Sequence, residues 1–103
     1  MNLRISTSRE RIAEFCERWK IVEFSFFGSV LRQDFKPSSD VDVLVRFASD
    51  AEWSLFDLVS MQEELNVILN RPADLVSRAG LEQSRNFIRK QAILGEAELY
   101  YAA

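Results

Sequence analysis

The spacing of apolar positions along this chain changes repeatedly, and each change marks an element. Ile12, Phe15, Cys16 and Trp19 recur at helical spacing behind Thr7-Ser8-Arg9-Glu10. That tetrapeptide is a capping-box pattern with Thr7 as N-cap and Glu10 three residues on, so a helix is predicted over 8–20. Residues 21–27 are β-branched and aromatic with Glu23 and Ser25 interleaved, which predicts a strand. Gly28 ends it; residues 29–34 can form a short helix, and a loop follows over 36–39. A second strand is predicted over 41–47. Ser54 begins a long helix with a mainly apolar stripe of Leu55, Leu58, Val59, Gln62, Leu65, Ile68 and Leu69. Asn70-Arg71-Pro72 stops that helix. Residues 73–77 predict a third, short strand. A helix from Gly80 to about 94 is expected to face the core with Leu81, Phe87, Ile88, Ala92 and Ile93, and to break at Gly95. Residues 97–101 read as a last edge strand.

The order α-β-α-β-α-β-α-β predicts an α/β (α+β) domain, with one mixed sheet of about four strands flanked by helices. At 103 residues a single domain over 1–103 is expected. A domain of that size buries roughly 65% of its unfolded surface, enough to fold unaided. The Phe24, Phe26 and Phe27 cluster reads as core, and Tyr100 and Tyr101 as packing at a sheet edge.

Composition narrows the chemistry. The net charge is −3 and basic residues do not run in blocks, which argues against a protein that coats nucleic acid. No direct nucleic-acid binding is expected. The one cysteine rules out an internal disulfide, and the absence of histidine excludes His-ligated zinc and Ser-His or Cys-His nucleophile pairs. Residues 1–11 lack an apolar signal region, and no apolar run approaches the ~20 residues of a membrane helix. A cytoplasmic protein is expected; the oligomeric state is left open.

The chemistry lies in Gly28-Ser29, a gap of ten residues, and then Asp40-Val41-Asp42. On a strand, Asp40 and Asp42 point the same way, about 6.6 Å apart, while Val41, Val43 and Val45 point to the other face. Two carboxylates on one face repel unless a cation sits between them. Oxygen donors without His or Cys suit a hard ion such as Mg²⁺, which shares its shell with substrate phosphates. Asp74 opens the next predicted strand. If the second and third strands are neighbours, Asp74 completes a three-carboxylate cluster able to hold two metal ions. At the strand-to-helix turn, Gly28 lets backbone N–H groups approach an anion, and the helix N-terminus adds positive potential. The Ser29 hydroxyl can donate to a phosphate oxygen, and Arg32 is a candidate triphosphate contact. Taken singly, each feature has a plainer reading as a turn, a strand-edge charge or a solvated arginine. Together they point to nucleotidyl or phosphoryl transfer.

Gly28-Ser29 followed after ten residues by Asp40-x-Asp42 resembles the signature of the DNA polymerase β-like nucleotidyltransferase superfamily. Ser54-Leu55-Phe56-Asp57-Leu58 and Arg71-Pro72-Ala73-Asp74-Leu75-Val76 look like its minimal nucleotidyltransferase branch. The resemblance covers almost the whole chain. It implies an antitoxin encoded beside a HEPN-domain ribonuclease toxin, and Mg²⁺-dependent transfer of AMP from ATP to a tyrosine of that toxin. Asp40, Asp42 and Asp74 match the metal-binding and catalytic triad; Gly28 and Ser29 match the nucleotide-holding turn. Arg32 is kept, whereas Val30 and Gln33 stand where the branch often has arginine and glycine.

Three functions are distinguishable at this level. The first is a protein adenylyltransferase: the predicted elements use up the chain, so a partner must supply the acceptor. The second is a non-catalytic antitoxin that blocks its partner by binding alone. The third is a small-molecule nucleotidyltransferase, which would normally need an added domain. Keeping three mutually repelling carboxylates argues for catalysis, since a pure binder has no need of them.

Overall fold

The computed structural model describes residues 5, 7–32, 35–36 and 38–103. The elements run α1 (Arg9–Arg18), β1 (Ile21–Phe27), a 3₁₀ turn (Gly28–Leu31), β2 (Val41–Phe47), α2 (Leu55–Leu69), β3 (Ala73–Ser77), α3 (Arg78–Glu82), α4 (Phe87–Glu96) and β4 (Glu98–Ala102). They build one four-stranded sheet in the order β3-β2-β1-β4. β1 is antiparallel to both β2 and β4, whereas β2 and β3 are parallel. The mixed sheet expected from the sequence is therefore present. Parallel pairing of β2 with β3 requires a crossover, and α2 supplies it.

Alternation along β2 separates the two faces of the sheet. Val41, Val43 and Val45 pack with Phe24, Phe26, Ala73 and the buried faces of α1 (Ile12, Phe15, Cys16) and α2 (Met61, Leu65, Leu69). Leu44 turns the other way, into a smaller core with Phe27, Leu81 of α3 and Ile93 of α4. The phenylalanines behave as expected: Phe24 and Phe26 are fully buried and Phe27 nearly so. Tyr100 of edge strand β4 packs edge-on against Phe26, with ring centroids 5.2 Å apart.

Local polar groups set the helix ends. The N-cap of α1 is Ser8, not Thr7: the Ser8 hydroxyl accepts from the Arg11 N–H at 3.3 Å. Ser54 caps α2 in a reciprocal capping box with Asp57. Asn70 closes α2 in the left-handed conformation at φ 55°, so the predicted stop holds.

Two helical expectations change. The buried seam of α2 runs through Leu58, Met61, Leu65, Ile68 and Leu69, whereas Leu55 and Val59 are 75% and 50% exposed. Those two lie on the helix flank, about 100° round from the seam. The single helix expected from Gly80 is two, because Ser84 and Asn86 offer the backbone competing partners. The Ser84 hydroxyl accepts from the Asn86 N–H, and the Asn86 side chain accepts from the Arg89 N–H to start α4. The restart leaves Phe87 and Ile88 exposed, and α4 continues through Gly95 to Glu96. Among the described residues, no helix is long and apolar enough to cross a membrane.

Candidate active site

The register of β2 and β3 pairs Asp42 with Asp74. Register partners on parallel strands share a face and lie one strand spacing apart, about 4.8 Å. Both therefore project on the face that carries Leu44 and Val76, toward α3 and α4. Asp40 stands one residue ahead of β2 and is exposed. Asp42 is half-buried and Asp74 exposed, each at the second position of its strand.

β3 is an edge strand, and α2 fixes it. The Ala73 N–H donates to Asn66 Oδ1 at 2.8 Å, and the Leu75 N–H donates to Gln62 Oε1 at 3.0 Å. These two donors flank Asp74. Amides that would otherwise be left on the sheet edge are satisfied by side chains one helical turn apart. The residue carrying the third carboxylate is thus held between two hydrogen-bonded neighbours.

Gly28 follows β1, whose last residue Phe27 pairs with Asp42. It adopts φ +77°, and a Cβ placed there would overlap the Asp42 carboxylate. Glycine is required on both counts. The turn it opens is a four-residue 3₁₀ segment, not the longer helix expected, and it is too short to supply a helix dipole. Any anion held there depends on local N–H groups and on Ser29. The Ser29 carbonyl accepts from the Arg32 N–H at 2.9 Å, which closes the turn. Val30 is fully buried in the larger core. Gln33 lies outside the described residues.

The electrostatics converge on Asp42. Its carboxyl is pushed above the ordinary range, first by burial and then by the charges of Asp74, Asp40 and Glu96, while Arg32 opposes the rise. Arg32 is exposed on one side, and its Nη2 donates to Glu96 Oε1 at 2.8 Å. Glu96 was missed in the sequence. It lies far from the motif, and the expected break at Gly95 put it beyond a helix that in fact reaches it.

Among the described residues, no three His, Cys, Asp or Glu side chains converge tightly enough to form a ready metal cage. The donor set nonetheless suits a hard divalent cation. It is all carboxylate oxygen, mutually repelling and open to solvent on one side. Cys16 lies in the other core, where burial pushes its thiol up to about 12. Between α1 and α2, a shallow cavity of about 160 Å³ is lined by Arg11, Glu14, Arg18, Glu64 and Ile68. The Arg18–Glu64 ion pair crosses it, and none of the six motif residues lines it.

Comparisons with known proteins bear on the family and the fold. The profile of a nucleotidyltransferase domain family matches residues 9–96. A protein adenylyltransferase of Thermococcus cleftensis, MntA, is 36% identical over 69 residues, covering 67% of this chain and 68% of the relative. Two solved structures share the fold at 18% identity. One is a toxin–antitoxin structure with AMP-PNP, covering 91% of this chain and 73% of that chain at a TM-score of 0.69. The other is a tri-AMPylated HEPN toxin of Shewanella oneidensis in complex with an MNT antitoxin, covering 91% and 69% at a TM-score of 0.62.

Proposed function

The chain belongs to the nucleotidyltransferase domain family, and on that premise we propose that it transfers AMP from ATP to a hydroxyl of a HEPN-domain toxin, with a tyrosine as the acceptor, and so serves as the antitoxin of the pair. The observation that carries this reading is the in-register pairing of Asp42 with Asp74 beside the Gly28 turn. The adenylyltransferase relative and the AMPylated toxin complex support it. The AMP-PNP complex supports ATP as the donor. Cytoplasmic location follows from the same reading, since ATP and a ribonuclease target are met there.

In this reading Asp40, Asp42 and Asp74 would hold Mg²⁺, as two ions. Bound there, the metal supplies charge neutralisation and polarises phosphate oxygens. The protein does the rest. Gly28 leaves room for the triphosphate beside Asp42, Ser29 donates to a phosphate oxygen, and Arg32 offsets phosphate charge. The acceptor oxygen attacks the α-phosphorus and forms an O–P bond. The bond to the bridging oxygen breaks, pyrophosphate leaves, and the hydroxyl proton passes to water. Asp74, on the outermost strand, faces the side from which a partner's hydroxyl approaches. Docking must bring that oxygen within about 3–3.5 Å of the phosphorus. An AMP group on tyrosine adds a bulky anion, which opposes RNA binding by the toxin.

The test is to incubate the purified chain with ATP, Mg²⁺ and a HEPN-domain protein encoded beside it. Mass spectrometry should find AMP on tyrosine with the wild type and none with Asp40→Asn/Asp42→Asn. Full neutralisation by that double variant without any AMP would replace this reading with inhibition by binding alone.

A further inference from the structure

We infer that Glu96 is a positioning residue for nucleotide uptake: it holds Arg32 at the edge of the carboxylate site and releases it when a triphosphate arrives. The inference rests on the AMP-transfer reading and assigns that site a residue outside its motif. The observations are geometric. Arg32 follows the Gly28–Leu31 turn, and Glu96 is the last residue of α4, yet Arg32 Nη2 and Glu96 Oε1 are 2.8 Å apart. Glu96 also lies next to the smaller core, which holds Ile93 and against which Ala97 packs. The Arg32 side chain is 55% exposed and that of Glu96 30% exposed, so the cation is the more accessible partner. Both charges act on Asp42, in opposite directions, which places the pair within electrostatic reach of the carboxylates.

A triphosphate brings several negative charges to this spot. Arg32 can serve them only by giving up part of its attraction to Glu96. Glu96 therefore keeps the cation at the site in the absence of nucleotide and lowers affinity once nucleotide binds. Exposed pairs of this kind are weak, so the cost to affinity is small and the exchange is readily reversible.

A double-mutant cycle on ATP binding in the presence of Mg²⁺ tests this. Glu96→Gln keeps an acceptor for Arg32 but removes the charge; the dissociation constant should fall roughly two- to fivefold. Arg32→Ala should raise it roughly tenfold or more. In the Arg32→Ala background, Glu96→Gln should have much less effect, because Glu96 acts through Arg32. In Glu96→Gln the KM for ATP should fall with the dissociation constant while kcat stays within about twofold, a split that a merely structural loss would not give. An unchanged dissociation constant in Glu96→Gln overturns the inference. So does an equal effect with and without Arg32, which would mean that Glu96 acts on the carboxylates directly. If the wild type takes up no ATP at all, the AMP-transfer reading falls first and this inference with it. If the wild type binds and only the coupling is missing, this inference falls alone.

Discussion

Asp42 and Asp74 come from strands joined by the α2 crossover, yet they are register partners, each facing the other across one strand spacing. Their charges oppose each other, and Asp40 and Glu96 add to the repulsion. The pairing costs stability in the unliganded protein. Asp42→Asn should abolish AMP transfer while making the unliganded protein more stable at neutral pH. The sign follows from linkage. The folded-state pKa of Asp42 lies above its ordinary 3.8, so the folded chain binds more protons than the unfolded one across that window. Stability from this group is highest in acid and is lost as pH rises from about 3.8 through the raised value. Thermal melts from pH 3 to 8 should show the advantage of the variant growing with pH and then levelling. A variant less stable than wild type at pH 7 would contradict this.

Gly28→Ala tests the close approach of the turn to Asp42. The left-handed backbone there costs a side chain about 1–2 kcal/mol, and the added methyl must displace the Asp42 carboxylate. Both stability and transfer should fall. Ser29→Ala removes one hydrogen bond to phosphate, worth roughly 0.5–1.5 kcal/mol, and should weaken nucleotide use less than Gly28→Ala does. Circular dichroism confirms folding of each variant before kinetics are compared. The opposite ranking would show that the turn does not face the nucleotide.

The elements that form the site were legible because local signals agreed with the fold. Both β1 and β2 occupy the predicted residues 21–27 and 41–47, and β3 begins at Ala73, so Asp42, Asp74 and the glycine turn fall on the expected elements, whereas Asp40 stands ahead of β2 and the expected three-carboxylate cluster is not formed among the described residues. What the sequence concealed depends on tertiary placement. Helical periodicity cannot tell which flank of α2 meets the sheet, so Met61 was missed and Leu55 and Val59 were placed inside. Nothing local marks Gln62 and Asn66 as anchors of β3, since side chain to backbone bonds across a crossover leave no spacing signature. The split between α3 and α4 turns on side chains competing for the backbone, and it hid the reach of Glu96.

The anchors of β3 give a prediction of their own. Asn66→Ala leaves the partly buried Ala73 N–H without its acceptor, at a cost of about 1–3 kcal/mol. Amide hydrogen exchange at Ala73 and Leu75 should accelerate more than at β1, because β3 is the outer strand. AMP transfer should drop with it, since Asp74 lies between the two anchored amides. Unaltered exchange at Ala73 would show that the edge is held by β2 alone.

Cys16 should be silent toward thiol reagents in the native protein. It is fully buried, and its pKa is raised from 9.0 to about 12, so almost no thiolate exists at pH 8. A colorimetric thiol assay should read close to zero in buffer and one thiol per chain in guanidinium chloride. Rapid labelling of the native protein would mean that the core under α1 opens.

Mg²⁺ and ATP together should stabilise the chain more than either does alone. ATP without the cation brings phosphate charge next to Asp42, whose environment already holds the charges of Asp74, Asp40 and Glu96, with Arg32 opposing them. The cation without ATP relieves the repulsion, but it finds no ready cage among the described residues. Each component supplies what the other lacks, so their effects should exceed the sum. A ligand at about 100 times its dissociation constant adds roughly 2.7 kcal/mol. For a domain near 100 residues, each kcal/mol raises the melting temperature by about 4–8 °C. A combined shift on the order of 10 °C or more is therefore expected at saturation, with a few degrees at most from Mg²⁺ alone. Chelation with EDTA should return the melt to that of the unliganded protein. Asp40→Asn/Asp42→Asn should show no synergy, because the neutral amides have lost the charge that draws the cation. Superimposable melts of the wild type in all four conditions would rule out the metal–nucleotide assignment of Asp40, Asp42 and Asp74.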